Sequence, residues 1–139
     1  MAQPLSASPA HFEQRLPARP ESVPLLRHGV AAFATAVGAS TGVRRRVALA
    51  VSEACTNAIV HGYRGGDGER PGATVAVHAE CCEDRLRIVV RDDGIGMRPR
   101  HDSPGLGLGT SLMAILSDSL EIAHGPEGHG TRVTLEFGL

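Results

Sequence analysis

The sequence is poor in aromatic residues. Tryptophan is absent, and aromatic residues make up 3% of the 139 positions, although the hydrophobic fraction is an ordinary 42%. Ala, Val, Leu and Ile must therefore fill the interior, which favours close packing of helices on a sheet over surfaces of stacked rings. A chain of this length fits one domain, which typically buries roughly two-thirds of its unfolded surface.

Charge and long apolar runs are also lacking. The formal net charge is -1, whereas a general nucleic-acid binder is expected to carry a clear basic excess. No apolar run approaches the ~18 residues of a membrane-spanning helix, and the start, MAQPLSASPAHFEQ, lacks the order of a signal peptide. We therefore expect a cytoplasmic protein with no direct nucleic-acid or membrane partner.

Cysteine is scarce as well. Cys55, Cys81 and Cys82 are odd in number and lack metal-ligand spacing, because adjacent residues on a strand point to opposite faces. We interpret them as reduced thiols.

The order of elements indicates the fold class. Residues 1–10 are rich in Pro, Ser and Ala and are expected to form a disordered tail, followed by one domain over 11–139. After a short edge strand at 12–16, the spacing predicts a helix capped by Ser22 and a second helix over 43–61. Strands are predicted from Thr74 onward, then a third helix, then a closing hairpin. Helices followed by a mostly antiparallel sheet indicate an α+β two-layer sandwich.

One candidate site lies on the second predicted helix. Glu53 and Asn57 are four residues apart and project from one face, distinct from the apolar face. Such a pair can hold Mg²⁺, which keeps several waters when phosphates complete its shell, and a free Glu can act as a general base. Polar residues on a solvent-exposed helix face can have the same spacing, so this pair alone does not establish a metal or catalytic site.

Two glycine-rich segments follow. In VVRDDGIGM, a predicted strand over 86–91 delivers Asp92 at its end, followed by Gly94 and Gly96; Asp there can accept a hydrogen bond from an exocyclic amine, and glycine lets the backbone approach a flat ring. In PGLGLGTSLM, three alternating glycines precede a helix that we expect Thr110 or Ser111 to start. Backbone N–H groups at a helix start stabilise phosphate oxygens without basic side chains. These glycines are Gly105, Gly107 and Gly109.

The three segments together are more specific than any of them alone. In their order and spacing they resemble the GHKL superfamily of ATPases and kinases, whose fold is the two-layer Bergerat sandwich, a mixed, mostly antiparallel sheet covered by three helices. The segment Glu53-Ala-Cys-Thr-Asn57-Ala-Ile-Val-His61-Gly-Tyr63 is most similar to the bacterial anti-sigma factor serine kinases. The resemblance covers roughly residues 12–137.

The resemblance implies a role for each matching residue. Asn57 would coordinate Mg²⁺ and Glu53 would activate a protein serine; Asp92 would bind the adenine amino group of ATP, with Thr131 supporting that site. The two glycine segments would shape the adenine wall and wrap the phosphates. Residues 97–104 would form a short lid, from which Arg98 or Arg100 would reach the terminal phosphate.

The resemblance also implies partners and leaves alternatives open. It suggests a sigma factor, a STAS-type antagonist as the phosphate acceptor, and a homodimer. A protein that binds a partner under nucleotide control without significant kinase activity remains an alternative. A remote one is an S-adenosylmethionine methyltransferase, whose first motif resembles the segment around Asp92; such an enzyme needs a parallel sheet beginning at that strand. No helix hairpin with a phosphoacceptor histidine is recognisable, so we expect the catalytic module alone.

Overall fold

The described part of the chain forms three helices and a five-stranded sheet. The structure is a computed structural model that describes residues 10–62, 72–93, 104–124 and 130–139, with backbone alone at 61–62 and 104–109. The elements in chain order are β1 (Ala10–Pro17), α1 (Ser22–Ala36), α2 (Thr41–Gly62), β2 (Thr74–Cys82), β3 (Arg85–Asp92), α3 (Pro104–Leu116), β4 (Ser119–His124) and β5 (Thr131–Gly138). The predicted tail concerns residues 1–9, which lie outside the described ranges.

The sheet has the strand order β1-β2-β3-β5-β4, and each pairing is antiparallel. The predicted α+β sandwich, the edge position of β1 and the closing hairpin are thereby confirmed. A methyltransferase sheet would place parallel strands around β3. Because β3 lies between two antiparallel neighbours, that alternative is excluded.

The core lies between the helices and one face of the sheet. Alternate residues of β3 are buried, as expected of a strand with one face packed on a core. The apolar face predicted for α2 is confirmed, because each of its members is almost fully buried: Val47, Ala50, Val51, Ala54 and Ala58. Cys55 also lies in this core, and burial raises the pKa of its thiol to about 12. Leu25, which has helical spacing with the apolar residues of α1 and would be expected to be buried, is 55% exposed.

The helix starts differ from the predicted ones. Ser22 is not a cap: its buried hydroxyl donates to the carbonyl of Pro17 at 2.6 Å and fixes the corner between β1 and α1. At the next helix, the hydroxyl of Ser40 caps α2 by accepting a hydrogen bond from the N–H of Val43 at 3.2 Å.

All three cysteines are free thiols, as predicted. No described helix is both long and apolar enough to cross a bilayer.

Candidate nucleotide-binding site

Asp92 and Thr131 lie side by side at one end of the sheet. They are direct partners in the antiparallel register of β3 and β5, where β3 ends and β5 begins. Both are buried, with 9% and 3% of their surfaces exposed. Directly opposed residues of an antiparallel pair project from the same face, and the burial pattern of β3 identifies this face as the one under the helices. The two residues predicted to contact adenine are therefore neighbours in the structure.

A glycine that sequence reasoning missed holds this corner together. Gly130 has a φ of +77°, and a Cβ at this position would lie 2.6 Å from the carbonyl oxygen of Asp92. A side chain would thus be both strained and in collision with backbone. The signal in the sequence was the glycine directly before Thr131, but its purpose depends on a strand that ends 38 positions earlier.

Asn57, on α2, is the third buried polar residue of the predicted site. It is 5% exposed, and its Nδ2 atom is buried with no hydrogen-bond partner among the described residues. An unpaired buried amide costs about 1–3 kcal/mol, so such a group calls for a functional explanation. Glu53, one turn earlier, is half-buried.

One hydrogen bond shows which part of α2 lies beside α3. Nη1 of Arg46 donates to the carbonyl of Leu116 at 3.3 Å, so the first half of α2 lies beside the end of α3. That end leads into β4, whose first residue, Ser119, pairs with Glu136 near the end of β5 that is opposite to Thr131. Asn57 is 11 residues beyond Arg46, roughly 16 Å along a helix; Thr131 is 5 residues from Glu136, also roughly 16 Å along a strand.

A helix that ran along the strands from this end would reach the level of Thr131 at Asn57, and α2 does contact both β3 and β5. Asn57, Asp92 and Thr131 are all buried, and together they offer an unpaired amide, a carboxylate and a hydroxyl. Such a set can recognise a polar ring and hold the oxygens of a phosphate or of a hydrated cation.

The predicted start of the third helix was wrong. Gly105, Gly107 and Gly109 were expected in a loop before a helix begun by Thr110 or Ser111, but α3 begins at Pro104 and includes them. Proline is favoured at the first helical position, and packing of α3 against α2 offsets the intrinsic cost of glycine, about 1 kcal/mol each. The first four N–H groups of a helix have no intrahelical partner, so the amides of Gly105 and Gly107 remain available, whereas that of Gly109 lies further along.

The remaining predicted residues lie outside the described part of the chain. They are Gly94, Gly96, Arg98 and Arg100, together with the rest of the predicted lid up to residue 103. Their roles, like those of Glu53, Asn57, Asp92 and Thr131, stay predictions.

Comparison with known proteins identifies the family. The profile of the histidine kinase-like ATPase domain matches residues 16–137. The chain belongs to this family. The resemblance inferred from the three motifs is confirmed, and membership of a family of ATPases implies that the chain uses ATP.

Two named relatives illustrate the similarity of this histidine kinase-like ATPase domain to bacterial regulators. The serine-protein kinase RsbW of Bacillus pumilus is 35% identical over 126 residues, which are 80% of this chain and 76% of the relative. The anti-sigma F factor of Clostridium beijerinckii is 35% identical over 127 residues, 84% of this chain and 85% of the relative.

Solved structures support the fold. The RsbU and RsbW domains of Rv1364c from Mycobacterium tuberculosis match with a TM-score of 0.71 and 24% identity, over 94% of this chain and 32% of that one. The chain thus spans about a third of that solved protein. A histidine kinase domain from Erythrobacter litoralis matches with a TM-score of 0.60 and 24% identity, over 89% of this chain and 62% of that one.

Proposed function

We propose that the chain is an ATP-dependent protein serine/threonine kinase of the anti-sigma factor type. It phosphorylates a serine of a STAS-type antagonist protein and thereby regulates a sigma factor. The observation that carries the proposal is the unpaired, buried Nδ2 of Asn57, together with the buried Asp92–Thr131 pair. The names of the relatives support the choice of a serine kinase over other ATPases.

The adenine end of the site is built on β3 and β5. The carboxylate of Asp92 accepts a hydrogen bond from the exocyclic amine, and the hydroxyl of Thr131 beside it supports the contact. Gly94 and Gly96 form the wall against the ring, because glycine allows close approach of the backbone. A carboxylate that accepts a hydrogen bond from the base disfavours guanine, which presents a carbonyl oxygen at that position.

The phosphates lie toward α2 and α3. The free amides at the start of α3, with Gly105 and Gly107 among the first four residues, donate to phosphate oxygens, and Gly109 allows close packing behind them. Arg100 adds a planar cation for the terminal phosphate. This design suits a chain with a net charge of -1, because it holds an anion without a general basic surface.

Asn57 suits a magnesium ion bound between protein and phosphates. Its amide is buried and unpaired, and rotation of that amide by half a turn would present the oxygen in place of the nitrogen. Mg²⁺ prefers oxygen ligands and needs few from the protein when phosphates and waters supply the rest. When bound, the ion neutralises charge on the phosphates.

Glu53 completes the site on the side of the protein substrate. Glu53 lies one turn before Asn57 and is half-buried. Its carboxylate can accept the proton of a serine hydroxyl. The serine oxygen then bonds to the terminal phosphorus, the bond from that phosphorus to ADP breaks, and ADP leaves. Most of the acceleration comes from positioning and charge neutralisation, with proton transfer adding about 10²–10⁴-fold.

A sigma factor and an antagonist protein are the macromolecular partners in this proposal. A homodimer acting in the cytoplasm is part of it, since that is the form implied by the resemblance to stand-alone anti-sigma factor kinases.

The test is a phosphotransfer assay with purified protein, ATP, Mg²⁺ and STAS-type antagonists of the source organism. We expect phosphoserine on one antagonist with wild type and at least a ~10²-fold lower rate with Glu53→Gln. ATP affinity should be unchanged in that variant. Glu121→Gln is the matched control, because Glu121 is an exposed carboxylate on β4, and it should retain the full rate.

The outcomes separate the alternatives. Saturable ATP binding without phosphoserine on any antagonist would favour the nucleotide-controlled binding protein. Equal rates for wild type and Glu53→Gln would remove Glu53 from the mechanism while leaving the kinase activity standing.

A further inference from the structure

The sheet face that points away from the helices carries a cluster of imidazole and carboxylate groups. On β2, Val77 and Ala79 are fully buried against the helices, so His78 and Glu80 project from the opposite face. On β1, His11 is the direct cross-strand partner of Glu80 and projects from that same face. The side chains of His11, His78 and Glu80 retain 50%, 41% and 33% exposure, so solvent and ions reach them.

The three side chains converge. Oε2 of Glu80 lies 3.9 Å from Nδ1 of His11 and 3.9 Å from Nε2 of His78. The two imidazole rings are 5.5 Å apart between centroids. One potential ligand atom from each of the three residues lies within 4.8 Å of the other two. Convergence of two rings on one carboxylate oxygen is more than a single surface ion pair requires.

We propose that His11, His78 and Glu80 bind one zinc ion at the β1–β2 edge of the sheet. Two imidazoles and a carboxylate are a ligand set typical of Zn²⁺, with bonds of about 2.0–2.2 Å and a fourth position left to water or an anion. Mg²⁺ and Ca²⁺ prefer oxygen ligands alone, so they should bind this site more weakly than Zn²⁺ does. Ligands around such a tetrahedral ion lie roughly 3.3 Å apart, so small side-chain rotations bring these atoms into place.

The surroundings contribute charges of both signs. Glu13, exposed on β1, is the cross-strand partner of His78 and adds a negative charge beside the site. Arg87 on β3 is the partner of Glu80 and adds a positive one. A positive charge near Glu80 weakens metal binding but does not prevent it, because the imidazoles bind metal in their neutral form.

Zinc at this place would join two strands. His11 comes from the edge strand β1, while the other two ligands come from β2. An ion that binds the folded chain raises its stability by mass action, and here it would hold the edge strand in register. The site lies across the sheet from Asp92 and Thr131, so it is separate from the nucleotide site and independent of the proposed kinase activity.

The experiment titrates the full chain with ZnCl₂ by calorimetry, after removal of metals with a chelator, and follows the melting temperature in parallel. We expect wild type to bind a zinc ion and to melt at a higher temperature when it is bound. His78→Ala and His11→Ala should each lower the affinity of that site by roughly tenfold or more, with a smaller thermal shift. His28→Ala is the control, since His28 is an exposed histidine on α1, and it should behave like wild type.

A second readout identifies the ligands. Co²⁺ in place of zinc should give visible absorption bands without the intense near-ultraviolet band of a cobalt–thiolate bond. Zinc binding that is unchanged in both His78→Ala and His11→Ala would overturn the proposal. A thiolate band, or no zinc binding by wild type, would overturn it as well.

Discussion

The carbonyl oxygen of Asp92 lies so close to Gly130 that a Cβ on Gly130 would stand 2.6 Å from it. This contact joins the end of β3 to the start of β5, where Asp92 faces Thr131. The candidate adenine pocket is therefore fixed by backbone as well as by side chains. A change of the Asp92 side chain should alter nucleotide selectivity, whereas a change of Gly130 should alter both stability and nucleotide binding.

Replacing Asp92 by Ala should reduce the selectivity for adenine. In the proposed site the carboxylate accepts a hydrogen bond from the exocyclic amine, and loss of one buried hydrogen bond costs about 1–3 kcal/mol. Titration with ADP and with GDP should show the ratio of their affinities falling by the corresponding factor. Asp84→Ala is the control, because Asp84 is an exposed carboxylate in the β2–β3 turn. An unchanged ratio in Asp92→Ala would show that Asp92 does not contact the base.

Replacing Gly130 by Ala should destabilise the fold and weaken nucleotide binding together. The positive φ alone costs about 1–2 kcal/mol, and collision with the Asp92 carbonyl adds to it. Gly38→Ala is the matched control, since Gly38 has a φ of +90° with nothing within 4 Å of its Cβ position. In denaturant unfolding the Gly130 variant should lose more stability than the Gly38 variant. Equal losses would mean that the contact with Asp92 relaxes without cost.

Replacing Asn57 by Leu should separate stability from binding. The buried Nδ2 has no partner among the described residues, so an apolar group of similar shape removes an unfavourable term of about 1–3 kcal/mol. We expect unfolding free energy in the absence of nucleotide to stay level or to rise, while Mg²⁺-dependent ATP binding is lost. Thr56→Ala, at an exposed neighbouring position, should change neither. A large loss of stability in Asn57→Leu would contradict the conclusion that the Asn57 amide is unpaired in the folded chain.

The buried thiol of Cys55 should make stability fall in alkaline solution. Burial raises its pKa from 9.0 to about 12, so above pH 9 the unfolded chain releases a proton that the folded chain retains. Unfolding free energy must then decrease as pH rises from about 9 to 12, and the effect is absent below pH 9. Cys55→Ala should show a shallower decline over this window. The chain contains no lysine, so few other groups titrate there, and an equal slope in both proteins would contradict the assignment.

Much of the fold could be predicted because its signals are local. The helical spacing of Val47, Ala50 and Ala54 requires no knowledge of the rest of the chain, and the closing hairpin follows from two apolar runs around a Gly/Pro turn. Helix starts were less predictable, because Ser22 and Ser40 are equally good caps. Tertiary position decides the role of each: the Ser22 hydroxyl donates to the carbonyl of Pro17 and does not cap α1, whereas the Ser40 hydroxyl caps α2.

What the sequence did not predict depends on distant partners. The start of α3 at Pro104 runs against the low helix propensity of glycine and relies on packing against α2. The role of Gly130 becomes visible when β3 is placed beside β5. The convergence of His11 with His78 arises from the β1–β2 register across 67 positions of sequence. No local sequence pattern indicates it.

The measurement that tests the central claim most directly is a titration of isotopically labelled protein with Mg²⁺ and ADP, followed by nuclear magnetic resonance. The side-chain amide of Asn57 gives its own signals, distinct from those of the backbone. We expect these signals and the backbone amides of Asp92 and Thr131 to shift together, with one dissociation constant. If ADP binds saturably while the Asn57 side chain and the Asp92–Thr131 pair remain unmoved, the nucleotide lies elsewhere and the account is wrong.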